Sequence, residues 1–348
     1  MPTRSLCPAL IVAAAVLAVC AVSLIADEPA ARKSAAQALA ETVDETVSAI
    51  RDANRTDQFD ASELYVMNLA TGETTLVAHD PDPRLSIAAP DWSPDGKQIV
   101  FEILEGRNWR RSQIASLNIT APNVKFRRLG RGHSPSFSPQ GKRIAFLIGP
   151  GADNNEAPGI WTMLTDGVRR QRFGIFGRPR SSPDGLWLLV SSHTSPLKVS
   201  LVDSHSGEEF PLGVADQKFL TRPNWAGNGR TVVAVVGYVN ESSLEILDAS
   251  DPDNVQQKLT LLSHDQCGDW MLSDPVYEAR SRRCFVVGTT PQGRALLAVD
   301  AARPGKIERL EADLFDEKLH DLALSPDDRY LLFCSNRVPR SHLLYRRR

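Results

Sequence analysis

The stretch Asp91–Glu102, DWSPDGKQIVFE, joins an aromatic residue to a tight-turn tetrapeptide and then to an apolar run. Within the turn, Pro presets φ, Asp caps the local backbone and Gly accepts a left-handed conformation. The run Ile99-Val100-Phe101 is apolar on both faces, as in a strand covered from both sides.

The same pattern recurs, without a gap, at five further places. The copies are PSFSPQGKRIAFLI from Pro135, PRSSPDGLWLLVSS from Pro179, PNWAGNGRTVVAVV from Pro223, PVYEARSRRCFVVG from Pro275 and LALSPDDRYLLFCS from Leu322. Their serine column reads Ser93, Ser138, Ser182, Ala226, Glu278, Ser325, in steps of 45, 44, 44, 52 and 47 residues. Six copies at such a period define a repeat architecture. The residue before this column is Trp92, Phe137, Trp225, Tyr277 or Leu324, with Ser181 the exception. A large side chain there fills the gap between neighbouring sheets.

Each copy is followed by a second half-repeat: a strand such as Gln113–Ile119, Gly159–Leu164, Val199–Asp203, Leu244–Asp248 or Ala295–Asp300, then a turn and a more polar strand such as Val124–Leu129. Four strands in about 45 residues make a propeller blade. The expected fold is therefore all-β, a six-bladed β-propeller of four-stranded antiparallel blades over residues 61–348. Leu64–Leu69 and Thr74–Ala78 precede the first copy and complete the last blade, so that no edge stays open. A late strand, His342–Tyr345, competes with Leu64–Leu69 for one place, and the sequence leaves that choice open.

After Arg4 come 22 uncharged residues, 5–26, and then Asp27-Glu28-Pro29. This reads as an export signal over residues 1–26, cut after Ala26. A membrane tether through residues 5–26 and a lipoprotein cysteine at Cys20 stay open as alternatives. Residues 27–60 read as a helical spacer, a short N-terminal helix over Ala31–Asn54 with apolar positions at Ala35, Leu39, Val43, Val47 and Ile50.

The net charge of −2 gives no overall reason to expect nucleic acid or a membrane surface as partner. Its distribution is uneven. Residues 107–180 hold 14 Lys/Arg against 3 Asp/Glu, about +11, while residues 202–328 hold 12 against 22, about −10. Cys284 and Cys334 sit in apolar runs and read as small core residues, and a Cys267–Cys284 bridge is left open.

The repeated aromatic-Ser-Pro-Asp-Gly turn, with strands like Gln98–Phe101 and Leu64–Leu69, resembles the TolB-type propeller repeat. That resemblance covers about residues 61–345 and implies a binding platform in bacterial exported proteins, placed in the periplasm or cell envelope. Similar propellers precede the hydrolase domain of prolyl oligopeptidases, but this chain has no Gly-x-Ser-x-Gly elbow.

Two residue sets carry candidate chemistry. His79, His133, His264 and His320 fall between one blade's last strand and the next blade's first. His133 and His320 lie five residues before the serine column, His79 and His264 fourteen before it. They read either as loop ties or as ligands of a divalent metal, the one cofactor the pattern admits. Arg127, Arg128 and Arg131 end one blade and Arg169, Arg170 and Arg172 the next, a rim that suits carboxylate or phosphate groups. The expected function is non-enzymatic binding, with an envelope protein or an anionic glycan or lipid as partner and no catalytic residue assigned. The alternative is a metal-dependent lyase or hydrolase acting on an acidic saccharide at the channel mouth.

Overall fold

The computed structural model describes residues 62–336, except 81, 83, 106–107, 122–124, 153–155, 193–196, 214–217, 220, 228, 239–240, 291–292 and 311–318. The expected helix at Ala31–Asn54 and strand at His342–Tyr345 lie outside the described residues.

Six antiparallel sheets follow one another along the chain. Blade 1 is β3 (Leu85–Trp92), β4 (Gln98–Glu105), β5 (Asn108–Asn118) and β6 (Arg127–Arg131). Blade 2 is β7 (His133–Phe137), β8 (Arg143–Ile148), β9 (Gly159–Leu164) and β10 (Gln171–Arg172). Blade 3 is β11 (Arg178–Ser181), β12 (Trp187–Ser191), β13 (Val199–Asp203) and β14 (Glu209–Pro211). In blade 4 the first strand is split into β15 (Lys218–Phe219) and β16 (Asn224–Trp225), both paired to β17 (Thr231–Tyr238), followed by β18 (Glu241–Asp248) and β19 (Gln256–Leu262). A single helical turn, α1 (His264–Cys267), leads to blade 5: β20 (Met271–Glu278), β21 (Arg283–Thr290), β22 (Gly293–Asp300) and β23 (Ile307–Leu310).

Blade 6 joins the two ends of the propeller. Its inner strands are β24 (His320–Leu324) and β25 (Tyr330–Ser335), and its outer strands are β1 (Glu63–Asn68) and β2 (Thr74–Ala78). β1 pairs with β25 over its whole length, from Glu63↔Ser335 to Asn68↔Tyr330. The place contested in the sequence thus belongs to the N-terminal strand, and the ring closes without an open edge.

The repeated turn works as its residues dictate. Ser93 Oγ donates to Asp95 Oδ1 at 2.6 Å and accepts from the Gln98 N–H at 2.8 Å, while Asp95 Oδ1 accepts from the Lys97 N–H at 3.1 Å. Ser182–Asp184 and Ser325–Asp327 repeat this arrangement. Gly96 takes φ +68, the left-handed conformation that the turn demands.

Apolar cores lie at the seams between successive blades. The seam of blades 4 and 5 buries fifteen hydrophobic residues, among them Val233, Leu244, Val286 and Leu297. The three described cysteines are free and buried, so no Cys267–Cys284 bridge forms. Trp92 Nε1 donates to the Ala323 carbonyl of blade 6 at 3.3 Å, and Trp225 Nε1 to the Arg180 carbonyl of blade 3 at 3.0 Å. The ring before the serine column therefore reaches back into the seam with the preceding blade.

Because β1 covers the edge of β25, a variant lacking residues 63–78 is expected to lose its cooperative thermal transition and to aggregate. Calorimetry and size-exclusion chromatography check this. A monomeric variant with an unchanged transition would show that closure by β1 is dispensable.

Candidate functional site

The first strands of the blades stand next to one another around the axis, β24 beside β3, β3 beside β7, β7 beside β11, and β20 beside both β16 and β24. The residue four before the serine column is Ala89, Ser134, Arg178, Arg222, Asp274 or Asp321. In blades 1, 2, 5 and 6 that residue lies within a register shift of the strand. There φ is +47 at Ala89, +50 at Ser134, +50 at Asp274 and +53 at Asp321. A left-handed non-glycine residue costs roughly 1–2 kcal/mol.

Hydrogen bonds across the seams offset that cost. The Ala89 N–H donates to Asp321 Oδ2 at 2.8 Å, the Ser134 N–H to Glu102 Oε2 at 2.6 Å, and the Asp321 N–H to Asp274 Oδ2 at 3.2 Å. In each case the bulged residue's N–H meets a carboxylate of the preceding blade. One step outward, the Phe137 N–H donates to Asp91 Oδ2 at 2.8 Å and the Ser181 N–H to Ser136 Oγ at 3.1 Å.

The axis is electrically divided. Blades 3 and 4 contribute Arg178, Arg180 and Arg222, and blades 5, 6 and 1 contribute Asp274, Asp321, Glu102 and Asp91. Arg222 pairs with Asp321, and Arg180 lies 3.5 Å from Asp91. A small cavity of about 20 Å³ lies among Arg180, Arg222, Asn224, Asp274 and Asp321.

Burial moves these groups in opposite directions. It raises the Glu102 and Asp91 carboxyls, with the bonded N–H groups and nearby arginines opposing. At Asp321 burial also acts upward, but Arg222 and His320 overturn it and hold the carboxyl well below its ordinary range. At His320 burial acts downward, and the Asp321 bond and charge outweigh it, so the imidazole is raised. Burial and repulsion from Arg222 lower the Arg178 guanidinium.

The predicted histidines do not form one centre. His79 is exposed between β2 and β3, and His264 is exposed on α1. His133 and His320 lie not in connecting loops but on the first residues of β7 and β24, because these strands begin before the bulge. His133 is 5 % exposed, and His320 Nδ1 is 3.0 Å from Asp321 Oδ2. Among the described residues no three His, Cys, Asp or Glu side chains converge so as to hold a metal ion.

Two of the rim arginines, Arg170 and Arg131, meet across the blades, and most of the set is engaged internally. Arg170 donates twice to Glu156 at 2.6 Å and to the Arg131 carbonyl at 2.8 Å, and it stacks 4.5 Å over the Phe146 ring. Arg128 pairs with Asp80 at 2.6 Å, Arg127 donates to the Thr165 carbonyl at 3.3 Å, and Arg131 bonds the Arg111 carbonyl. Arg172 donates to the Pro158 carbonyl at 2.7 and 3.1 Å, and Arg169 is exposed at φ +54.

Two surface clefts lie in the basic sector. One, of about 270 Å³, is lined by Leu85, Ile103, Glu105, Gln113 and three arginines, Arg111, Arg128 and Arg131. The other, of about 590 Å³, opens between blades 2 and 3, with Ser181, the exceptional residue before the serine column, in its wall. Sequence reasoning missed this cleft, although Ser181 was its signal. It also missed the axial charges Arg178, Arg222, Asp274 and Asp321, which stand four residues before the serine column.

The molecule is thus a six-bladed β-propeller closed by its own N-terminal strands. Its blades are TolB-like: it is similar to a protein assigned as TolB from Agrobacterium tumefaciens, with a TM-score of 0.60 and 17% identity over 79% of this chain and 97% of that one. It is also similar to TolB from Acinetobacter baumannii (TM-score 0.48, 18% identity, 80% of this chain and 64% of that one). A puromycin-hydrolyzing peptidase from Mycobacterium tuberculosis matches at 0.46 and 17% identity, over 75% of this chain and 43% of that one. At these identities the likeness is one of fold. No family model matches the chain, and no curated protein sequence matches it.

Asp321→Ala leaves Arg222 buried without its carboxylate and removes the acceptor of the Ala89 N–H, and is expected to cost about 3–5 kcal/mol in denaturant unfolding. Asp166→Ala, at an exposed turn residue, should stay within about 0.5 kcal/mol of the parent. The raised His320 pKa favours the folded state at pH below the ordinary value of 6.5, and this stability is lost as pH rises through the folded value. The melting temperature is therefore expected to fall as pH rises above 6.5, and His320→Gln should flatten that slope.

Proposed function

We propose that this protein is a non-enzymatic binding propeller of the bacterial cell envelope, exported by its N-terminal leader, whose partner is anionic. The observation that carries the reading is the contrast between axis and rim. Along the axis, carboxylates and guanidiniums face one another and tie neighbouring blades around a cavity of about 20 Å³. On the rim of blades 1 to 3, two open clefts are lined by arginines. Guanidinium forks match carboxylate and phosphate groups in a bidentate way. The surplus of positive charge over residues 107–180 would steer such a partner towards this side. The envelope location rests on the leader sequence together with the TolB-like fold.

Immobilised protein incubated with envelope extract is expected to retain an anionic partner at low salt and release it at high salt. Reversal of Arg111, Arg128 and Arg172 to glutamate should lower retention about tenfold or more, with folding checked by melting. Retention that ignores both salt and charge reversal would overturn the anionic partner. Turnover of an acidic saccharide that a chelator abolishes would overturn the non-enzymatic reading.

A further inference from the structure

The seam between blades 2 and 3 is packed unlike the other five. Elsewhere a bulky side chain before the serine column reaches back into the preceding seam, as Trp92 and Trp225 do. Blade 3 has Ser181 there. The buried apolar core of this seam shrinks to four residues, Ile160, Leu188, Val190 and Val202, against eight between blades 1 and 2. The cleft at this seam, with Ser181 in its wall, has about 590 Å³ against about 350 Å³ at the corresponding place of blades 6 and 1, where Trp92 lines the wall, and lies within the range of a few hundred to about 1,000 Å³ of small-ligand sites.

The lining has a definite chemistry. It presents two aromatic side chains, Trp187 and Phe173, two arginines, Arg143 and Arg172, and two amides, Gln140 and Gln171. It contains five Ser/Thr hydroxyls and His205, and no Asp or Glu. Both arginines are held in place before any ligand arrives. Arg143 donates to Thr162 Oγ1 at 2.7 and 3.2 Å, and Arg172 to the Pro158 carbonyl at 2.7 and 3.1 Å. Trp187 is fixed edge-to-face against Phe210, with ring centroids 5.7 Å apart. Such preorganisation lowers the entropy cost of binding.

We propose that this cleft binds an acidic oligosaccharide, a chain of uronic-acid residues. The inference rests on the reading of the protein as a binder of anionic envelope partners and names a site and ligand class for it. A pyranose ring offers an apolar C–H face to an aromatic side chain and a rim of hydroxyls to amides and alcohols. Its carboxylate takes the guanidinium forks, and a lining without carboxylates adds no repulsion. An extended peptide fits less well, because strand addition needs a long free edge and the outer strand here, β10, has two residues.

Titration calorimetry with a uronic-acid trisaccharide and its neutral, carboxyl-reduced analogue tests the site. The acid form is expected to bind at least about tenfold more tightly than the analogue, a difference of about 1.4 kcal/mol. Ser181→Trp restores the missing ring, fills the cleft and should abolish binding. Arg172→Gln, which keeps the exposed position polar, should weaken binding about tenfold with an unchanged melting temperature. Equal affinity for the neutral analogue, undiminished binding by folded Ser181→Trp, or displacement of the trisaccharide by lower concentrations of a nucleotide or an acidic peptide would overturn the proposal. If the trisaccharide does not bind while envelope extract still yields a salt-sensitive partner, the cleft assignment fails and the wider reading stands; if neither binds, both fail.

Discussion

The structure depends on how each blade is tied to the next near the axis. A bulged, left-handed residue turns its N–H towards a carboxylate of the preceding blade, as Ala89 does to Asp321 and Ser134 to Glu102. The backbone strain and the buried carboxylate are each unfavourable alone. Together they satisfy one another, since an N–H···carboxylate bond in a dry site is stronger than a neutral one. The arginines of blades 3 and 4 supply the countercharge for the acids of blades 5, 6 and 1, so the axial charges are part of the scaffold.

The seams further out are filled by size. Where a tryptophan stands before the serine column, its ring occupies the seam and its N–H finds a carbonyl of the preceding blade. Where serine stands instead, the cleft is larger and the apolar core contracts. Such a seam is found by its departure from the pattern.

Much of the fold was legible in the sequence because its signals are local and periodic. The strands Gly159–Leu164 and Val199–Asp203 fall where the half-repeat placed them, and the Ser-Pro-Asp-Gly turns bond as Ser, Asp and Gly predict. Less of the candidate site was legible. The histidines at matched offsets read either as loop ties or as metal ligands, and in the structure His133 is buried on β7 while His79 and His264 are exposed in separate connections. The engagement of the rim arginines with Glu156, Asp80 and backbone carbonyls depends on loops from other strands, which no single repeat shows.

The sequence by itself determined the blade count, the strand type and order within each blade, the turn chemistry and the one blade lacking a bulky residue at its seam. All of these follow from residues within a single period of about 45. The tertiary structure alone decided that β1 and not a later strand completes blade 6, that Asp321 serves both Arg222 and Ala89, and that the Ser181 seam opens into a cleft. The partners in those contacts lie far apart in the chain, 99 residues for Arg222 and Asp321 and 232 for Ala89 and Asp321. Only closing the ring sets their distances, and with them which charges are matched inside and which face solvent.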